Sequence, residues 1–405
     1  MISLLKPIAL TCLSLGLGGC ALERQAGLSC NLEGAPAVDL VSQLASDPTS
    51  VRPSARDFAP SMADAFTQTI KTEAVRAPRR RAIELDVLAL SAGGQYGAFG
   101  AGFLRGWAQN AATPRPEFDL VTGVSAGGML APVAFSGRGN DAVLDAFRGL
   151  HADGVFRRRP VLALPRAASF FDAAPLERML SASLTDDLIA DVAAQHKRGA
   201  RLLVMATNLD TARAQVFDLG EIASAPMPLA QRRGCMTEVM LASAAIPGVF
   251  PPRNIDGDLF VDGGLRDQVF LREVESARAQ AARRTGRDVK INATMVINGS
   301  LRVPEGRVRD SFLGYAERSL FVLSDEVLRD SINETIAFAR ANKNWTIKGV
   351  IAELPVEDIC PTSERAGSFD RCVTTALFDA GRDLGRSAPI DFMTSAELRA
   401  LADEF

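Results

Sequence analysis

FDLVTGVSAGGMLAP, residues 118–132, joins a strand pattern to a helix pattern. Its apolar start predicts a buried strand, and the small and apolar residues after GVSAGG predict a helix. The sharp turn between them presents Ser125 at its apex, because Gly123 and Gly127 permit a tight backbone and close packing of strand and helix. With 33 glycines in 405 residues, G-x-S-x-G alone arises by chance in about one such chain in six. The flanking strand and helix make Ser125 a candidate nucleophile.

The segment IELDVLALSAGGQYGAFGAGFLRGWAQN, residues 83–110, shows the same order of strand, glycine-rich turn and helix. Such a turn binds phosphate in dinucleotide folds, but its glycine spacing does not match G-x-G-x-x-G and no acidic residue is placed to hold a ribose. Beside a serine at an elbow, the turn is better suited to an oxyanion hole. We expect the N–H groups of Gly93, Gly94 and Gln95 to point at the tetrahedral intermediate.

Strand and helix patterns alternate along the rest of the chain. Strand patterns occupy residues 201–210, 290–299 and 345–353, with a hairpin partner at 215–220 and a short strand within 256–267. Helix patterns occupy residues 61–72, most of 139–200, 231–245, 271–284, 311–342 and the C-terminus. This alternation predicts an α/β fold with a mostly parallel central sheet and helices on both faces.

A serine nucleophile needs a partner that accepts its proton, and histidine is the usual one. The chain has only His151 and His196. His196 lies at the end of a predicted helix, where a surface histidine is the ordinary case, whereas His151 lies in a loop and stays open as a partner. An α/β-hydrolase triad places its histidine last, and none follows position 196, which disfavours a Ser-His-Asp triad.

A carboxylate is the remaining choice, and Asp262 in LFVDGG is the most suggestive one. It follows a short apolar strand that holds it rigidly, and the two glycines after it let other groups approach closely. The same three residues are also ordinary turn chemistry. An aspartate with the reference pKa of about 3.9 is a weak base at neutral pH, so burial has to raise that pKa.

The N-terminus MISLLKPIALTCLSLGLGGCALE has one lysine, a short apolar stretch and a small-residue site, and it predicts a secretory signal peptide. Its residues 17–20 resemble the bacterial lipobox, whose cysteine is lipidated after cleavage; a plain signal peptide or an uncleaved anchor is the alternative. We expect a signal peptide at 1–19, a tether with one helix at 20–82, lipidated at Cys20, and a catalytic domain at 83–405. In the bacterial lipoproteins that this segment resembles, the absence of aspartate after the cysteine implies the outer membrane, and Ala21 follows Cys20 here, so we expect the periplasmic face of that membrane.

An exported chain meets an oxidising compartment. Cys12 is expected to leave with the signal peptide, and the thiol of Cys20 to carry the lipid. The thiols that remain are those of Cys30, Cys235, Cys360 and Cys372. Cys360 and Cys372 flank a short loop and are the favoured disulfide, although four cysteines allow three connectivities. Cys235 is a candidate buried free thiol.

The charge of the chain names no partner. The formal net charge of -3 comes from 45 basic and 48 acidic residues, which argues against a nucleic-acid partner. The basic cluster RAPRRR at 76–81 either binds anionic lipid head groups or is a solvated surface. No run after residue 20 approaches the ~20 apolar residues that span a bilayer.

Three segments together resemble the patatin-like phospholipases, in the order and rough spacing of that family: SAGGQYGAFGAG, GVSAG, and ASAAIPGVFPP followed by DGG. The resemblance covers residues 85–264, with weaker support over 271–405. It implies a three-layer α/β sandwich and a Ser-Asp dyad, with Ser125 as nucleophile and Asp262 as proton acceptor, that acts on lipid acyl esters without a metal or other cofactor. Tyr96 stands where the family usually carries arginine or lysine.

The expected function is hydrolysis of acyl esters in membrane lipids, of the phospholipase A or lysophospholipase type, through a covalent acyl-enzyme. Two alternatives stay open. The same dyad serves an acyltransferase whose acceptor is not water, and a lipid-binding lipoprotein would keep the fold without turnover. The sequence names no protein partner.

Overall fold

The computed structural model describes residues 27–30, 37–38, 58–76, 78, 82–137, 141–160, 167–272, 274–301, 308, 310–361 and 369–403. The predicted signal peptide at 1–19, the predicted lipidation site Cys20 and most of the predicted tether to residue 82 lie outside these residues. Within them, no helix combines the length and the apolar character needed to cross a membrane.

The described residues form short and long strands and helices in alternation. The strands are β1 (Ala37–Val38), β2 (Ala82–Leu90), β3 (Leu120–Val124), β4 (Arg157–Arg158), β5 (Phe171–Asp172), β6 (Arg201–Asn208), β7 (Arg213–Asp218), β8 (Arg253–Ile255), β9 (Asp258–Asp262), β10 (Asp288–Ile297), β11 (Trp345–Ile351) and β12 (Met393–Thr394). The helices are α1 (Phe58–Arg76), α2 (Gly97–Trp107), α3 (Ala126–Ser136), α4 (Asp141–Asp145), α5 (Ala152–Val155), α6 (Ala174–Ser183), α7 (Asp186–Lys197), α8 (Leu219–Ser224), α9 (Leu229–Ser243), α10 (Val274–Thr285), α11 (Phe312–Ala341), α12 (Val356–Ile359), α13 (Arg371–Arg386) and α14 (Ser395–Asp403).

One large sheet forms the centre of the fold, and five of its strands run parallel in the order β6, β3, β2, β10, β11. Antiparallel strands extend it on both sides, with β7 and then β1 beyond β6, and β12 beyond β11. β9 also pairs antiparallel with β6, and β8 pairs with β9. The carboxyl ends of the five parallel strands meet at one edge, which we call the carboxyl edge and where α/β proteins usually place their sites.

Buried apolar side chains form a core on each face of this sheet. On one face, the central strands meet α2, α3, α7, α9 and α13. On the other face, they meet α1, α10, α11 and α14. All of β3 is buried, and so is β6 after its first residue, as expected of parallel strands covered on both sides. The predicted α/β sandwich with a mostly parallel central sheet is confirmed.

Helices α2 and α13 pack at close range because glycines face the partner backbone. A Cβ atom on Gly102 would lie 2.0 Å from the carbonyl oxygen of Phe378, and one on Gly381 would lie 2.1 Å from that of Phe99. Helix α2 begins directly after the glycine-rich turn that was predicted as an oxyanion hole. Helix α13 therefore braces the helix that carries this turn.

The region 139–200 differs from its prediction as largely helical. It holds α4 to α7, but it also contains the two-stranded ribbon of β4 and β5, and its residues 161–166 are outside the described part of the chain. The rings of Phe156 and Phe171, with centroids 4.4 Å apart, pack beside the ribbon. Strands of two residues leave no periodic pattern in a sequence, so only tertiary contacts reveal them.

The prediction that Cys235 is a free thiol is wrong, because Cys235 forms a disulfide with Cys30. Cys360 and Cys372 form a second disulfide. The partners of the first bridge are 205 residues apart in sequence. Spacing alone gives no indication of such a long-range pairing.

The segment 27–30 is attached to β8 and to the turn that follows it, next to this disulfide. Leu28 forms a parallel bridge with Ile255 of β8, and its carbonyl oxygen accepts a hydrogen bond from the Asp256 N–H at 3.3 Å. The Cys30 N–H donates to the Asp256 carboxylate at 2.7 Å. These contacts and the disulfide fix the position of residues 27–30 beside β8.

Candidate active site

Ser125 lies in the turn between β3 and α3, at the carboxyl edge of the sheet. Its backbone has φ 51° and ψ -120°, a conformation that residues with side chains rarely adopt. The turn is tight, since a Cβ atom on Gly127 would lie 2.2 Å from the carbonyl oxygen of Leu90. The strand, sharp turn and helix predicted around Ser125 are present.

The ends of β3 and β9 meet on the same side of β6. Val124, the last residue of β3, pairs with Met205, and Asp262, the last residue of β9, pairs with Ala206. β3 and β9 run in opposite directions along β6, so their final residues point toward each other. Two consecutive residues of β6 thus bring the serine after β3 next to the aspartate that ends β9.

Ser125 and Asp262 are joined by a direct hydrogen bond. The Ser125 hydroxyl donates to Oδ2 of Asp262 at 2.7 Å, and the Gly264 N–H donates to Oδ1 of the same carboxylate at 2.8 Å. The backbone of Asp262 is held as well, because its carbonyl oxygen accepts a hydrogen bond from the Thr207 hydroxyl at 2.9 Å. The carboxylate is therefore oriented by its own strand and by the turn that follows it.

Burial makes Asp262 a stronger base than an ordinary aspartate. Removal from water raises its pKa from 3.8 to about 6, while the hydrogen bonds from Ser125 and Gly264 oppose that rise. Only 6% of the residue is exposed, in agreement with burial as the dominant cause. The carboxylate is ionised at neutral pH and has a higher affinity for a proton than a solvated one.

Ser243, the last residue of α9, ties the elbow to the neighbouring strand. Its hydroxyl accepts a hydrogen bond from the Ser125 N–H at 2.9 Å and donates one to the carbonyl oxygen of Met205 at 2.7 Å. No local sequence pattern predicts a function for this residue. It lies within ASAAIPGVFPP, so the motif held the signal, but a serine in a helix gives no sign that its hydroxyl serves another segment.

The glycine-rich turn after β2 lies against the elbow. A Cβ atom on Gly97 would lie 2.7 Å from the Cβ atom of Ala126, the residue after Ser125. No atom lies within 4 Å of where a Cβ atom on Gly94 would be, so the turn borders open space. Among the described residues, none accepts a hydrogen bond from the N–H groups of Gly93, Gly94 or Gln95. These donors are free to bind an anion.

Asn298, which follows β10, fixes the start of this turn. No sequence pattern predicted this function. Its side-chain amide donates to the carbonyl oxygen of Ser91 at 2.9 Å, and its N–H donates to the Ser91 hydroxyl at 2.8 Å. A Cβ atom on Gly93 would lie 1.5 Å from the carbonyl oxygen of Asn298, which leaves no room for a side chain there. The conformation of the turn thus depends on a residue some 200 positions further along the chain.

Gln95 and Tyr96 fasten the other end of the turn. The Gln95 side chain accepts a hydrogen bond from the Asp370 N–H at 3.2 Å, directly before α13. Tyr96, which stands at the family's basic position, packs against the apolar core beside α2. The turn therefore presents backbone donors without an adjacent cationic side chain at that position.

Both histidines have partners other than the serine. His151 contacts the Arg371 guanidinium at 3.3 Å, and Nδ1 of His196 lies 3.5 Å from the carboxylate of Asp218. In the described residues, neither histidine contacts Ser125, and no group of three or more histidine, cysteine and acidic side chains is arranged to hold a metal ion.

Fold and site together define a class of protein: an α/β protein whose serine lies on a strand-turn-helix elbow at the carboxyl edge of a parallel sheet and donates a hydrogen bond to a buried aspartate. Comparison with known proteins identifies the family within that class. The model of the patatin-like phospholipase family matches residues 88–274, which contain all three motifs and the Ser125–Asp262 pair. A curated relative, the cGAMP-activated phospholipase of Pseudomonas aeruginosa (strain BWHPSA011 / Pa011), is 30% identical over 274 residues, covering 64% of this chain and 77% of the relative.

The chain belongs to the patatin-like phospholipase family, and this membership supports lipid hydrolase activity. Among solved structures, VipD from Legionella pneumophila is similar at 13% identity, covering 79% of this chain and 67% of its own, with a TM-score of 0.31.

Proposed function

We propose that the protein hydrolyses acyl esters of membrane lipids, in the manner of a phospholipase A or lysophospholipase, through a covalent acyl-enzyme on Ser125. The observation that carries this proposal is the 2.7 Å hydrogen bond from the Ser125 hydroxyl to the buried carboxylate of Asp262. A hydroxyl that already donates to a base of raised pKa is placed to lose its proton when it attacks a carbonyl carbon.

In the first half of the reaction, Oγ of Ser125 attacks the ester carbonyl carbon while its proton passes to Oδ2 of Asp262. The carbonyl oxygen becomes an oxyanion, and the N–H groups of Gly93, Gly94 and Gln95 are the donors proposed to stabilise it. Collapse of this intermediate expels the alcohol, which takes the proton back from Asp262. The acyl group remains on Ser125.

In the second half, water takes the place of the alcohol. Asp262 accepts a proton from the attacking water and returns it to Oγ of Ser125 as the fatty acid leaves. Both halves use the same carboxylate, so a histidine is not needed. None of the proposed proton transfers requires a metal ion.

The proposed setting is the membrane that supplies the substrate. Cleavage before Cys20 and acylation of its thiol would hold the enzyme on the periplasmic face of the outer membrane. Mass spectrometry of the N-terminal peptide tests this step directly. We expect Cys20 to be acylated in the native protein. The matched control is Cys20→Ala, which should carry no lipid and stay in the soluble fraction.

The catalytic proposal is tested by fatty acid release from phospholipid, lysophospholipid and short p-nitrophenyl esters in the presence of EDTA. Ser125→Ala and Asp262→Asn are each expected to lose nearly all turnover while the fold is retained. Ser136→Ala is the matched control, because it removes another buried hydroxyl of the same helix, one that donates to the carbonyl oxygen of Val133. Release that survives either of the first two changes would contradict the dyad.

Labelling by a fluorophosphonate separates the alternatives. Labelled Ser125 without fatty acid release, but with acyl transfer to an added alcohol or lysolipid, would identify an acyltransferase. Neither labelling nor release would identify a lipid-binding protein on this fold.

A further inference from the structure

Exposed large apolar side chains are concentrated on one side of the molecule. Of the nine among the described residues, only Val75 lies at the opposite edge of the sheet, where α1 leads into β2. Leu209 follows β6, Val308 follows β10 and Ile359 follows β11, so all three lie toward the carboxyl edge. Isolated exposed apolar residues are ordinary, but their accumulation around one edge marks an interaction surface.

The elements that carry the remaining exposed apolar residues place them on the same side, and together with Leu209 we call this set of residues the apolar rim. Its members are Leu28, Leu209, Leu265, Tyr315, Val322 and Leu323.

Helix α11 carries half of this rim because its first half extends beyond the sheet. Among its apolar side chains that the structure describes, the first buried one is Leu328. Leu328 lies level with the end of β10, since a Cβ atom on Gly299 would be 2.9 Å from its Cδ2. The helix then runs back along the sheet toward the start of β11, so the turns before Leu328, about 24 Å of helix, project past the carboxyl edge.

The projecting half of α11 has an apolar face. Tyr315, Val322 and Leu323 are spaced i, i+7 and i+8, which places them on one side of a helix, and they are 53%, 48% and 63% exposed. The Tyr315 hydroxyl hydrogen-bonds the carboxylate of Asp310. A tyrosine with an apolar ring and a bonded polar tip is typical of a membrane interface.

This half of the helix adjoins the active site. Leu265 is three residues after Asp262, in the Gly263–Leu265 turn against which α11 lies. The side-chain amide of Gln268 donates to the carbonyl oxygen and, at 2.9 Å, to the hydroxyl of Ser324, the residue after Leu323. The projecting half of α11 is therefore joined to the segment that directly follows Asp262.

The N-terminal segment reaches the same edge from the other flank. β9 runs antiparallel to β6 and pairs with residues 206–208, the last three residues of β6. Asp258 and Ile255, which come earlier in the hairpin of β8 and β9, therefore lie beyond the end of β6. Leu28 is bridged to Ile255, and the Cys30–Cys235 disulfide follows it. Seven residue steps separate Gly27 from the proposed lipid anchor at Cys20, a reach of at most about 25 Å. The anchor would hold this edge toward the bilayer.

We propose that the apolar rim docks on the surface of a phospholipid bilayer, with the projecting half of α11 inserted among the acyl chains beside the active site. The docking proposal specifies that the substrate is lipid in a bilayer, and in that respect it rests on the proposed function. The docking itself is independent of turnover. It places the bilayer at the carboxyl edge, between the N-terminal anchor on one flank and α11 on the other.

Fluorescence quenching tests the docking on the full chain in a Ser125→Ala background, which leaves the lipids intact. The two native tryptophans, Trp107 and Trp345, are 1% and 7% exposed and supply a constant buried background. Vesicles of phosphatidylethanolamine and phosphatidylglycerol with brominated acyl chains are expected to quench the new emission of Leu323→Trp. Val75→Trp, at a site 82% exposed on the opposite edge, is the matched control, and the vesicles are expected to leave its tryptophan emission unquenched.

Equal quenching of the two variants, or none of either, would overturn the proposal. The rim could instead join two copies of the chain. In that case light scattering without lipid would give a lower molar mass for Leu323→Glu than for the native protein. That outcome also overturns the proposal.

A kinetic test follows the ratio of vesicle hydrolysis to p-nitrophenyl butyrate hydrolysis. Val322→Glu combined with Leu323→Glu is expected to lower this ratio about tenfold, because two carboxylates replace apolar contacts with the bilayer. Val75→Glu is expected to leave it unchanged. An unchanged ratio in the rim variant would overturn the docking. If the native protein hydrolyses neither the vesicles nor p-nitrophenyl butyrate, the proposed function is refuted, and the quenching experiment alone decides the docking.

Discussion

At the scale of single residues, Asp262 combines burial with few hydrogen bonds. Its two oxygens accept bonds from Ser125 and Gly264, and together these do not offset the loss of water. A carboxyl group in this state titrates well above the range of exposed aspartates. Its protonation state therefore changes within the range in which enzymes are normally assayed.

We expect kcat/KM for a soluble ester to rise with pH through an inflection near 6 and to level off above it. Asp262 must be ionised to accept the serine proton, and burial raises its pKa to about 6. A pH profile measured with p-nitrophenyl butyrate checks this. An inflection near 4 would mean that the essential base is an ordinary solvated carboxylate.

Asp262→Asn is expected to be inactive and yet more stable than the native protein above neutral pH. The pKa of Asp262 is raised by folding, so its contribution to stability is complete below about pH 4 and is lost as the pH rises through about 6. The loss corresponds to about 3 kcal/mol. Urea unfolding of both proteins between about pH 4 and pH 8 should show the variant gaining relative stability by about that amount. A constant difference over this range would contradict the burial of charge at this site.

Residues whose proposed chemistry follows from their type and their local pattern can be recognised in the sequence. Ser125 and Asp262 stood out because a nucleophile between glycines and an aspartate before two glycines are recognisable patterns. Ser243 and Asn298 did not, although they hold the elbow and the glycine-rich turn. Their function depends on hydrogen bonds to segments far away in the sequence, and no local pattern encodes such partners.

At the scale of elements, the end of α9 is tied to β3 and β6 through one hydroxyl. Ser243→Ala would leave the Ser125 N–H and the Met205 carbonyl oxygen without this buried partner. We expect a loss of about 1–3 kcal/mol in the free energy of unfolding and a fall in kcat of about tenfold or more, because the elbow is no longer held in place. Thr237→Val in the same helix removes a hydroxyl whose one partner among the described residues is the carbonyl oxygen of Arg233, four residues earlier. It should leave kcat unchanged, and an equal fall in both variants would argue against a special role for Ser243.

The contact of α2 with α13 leaves no room for a side chain. In Gly381→Ala the new Cβ atom would lie 2.1 Å from the carbonyl oxygen of Phe99, so the two helices must move apart. The expected loss in the free energy of unfolding is about 3 kcal/mol. Gly154→Ala, where the nearest atom would be a flexible Leu150 methyl at 3.4 Å, is the control and should stay within about 0.5 kcal/mol. Thermal and urea unfolding compare the two.

The long elements follow their sequence patterns closely. The patterns at 290–299 and 311–342 correspond to β10 at Asp288–Ile297 and α11 at Phe312–Ala341. Periodicity predicts that a helix exists, but it does not say which part of the helix meets the sheet. The projection of the first half of α11 therefore had to come from the structure.

At the scale of the whole molecule, two disulfides close loops of very different length. Cys30–Cys235 spans 205 residues, whereas Cys360–Cys372 spans 12. Replacing both cysteines of the long loop by alanine is expected to cost about 5 kcal/mol, against about 3 kcal/mol for the short one, because the longer loop restricts the unfolded chain more. Urea unfolding of the two double variants gives the order. The reverse order would show that the N-terminal segment adds little to the fold.

The overall architecture was predictable as a class, but the arrangement of the strands was not. Alternation of strand and helix patterns indicates a parallel sheet with covered faces. It does not indicate that β9 turns back onto β6 at the point where β3 ends. That arrangement depends on pairing between distant strands, which local propensity does not determine.

The meeting of β3 and β9 on β6 also bears on the order of folding. Ser125 and Asp262 are 137 residues apart in sequence, and contacts of such long range form late and slowly. In the proposed mechanism, the serine has no base until β9 has docked, so the partly folded chain would be inert toward esters. With the proposed export across one membrane, the protein would acquire its activity only when its fold is complete.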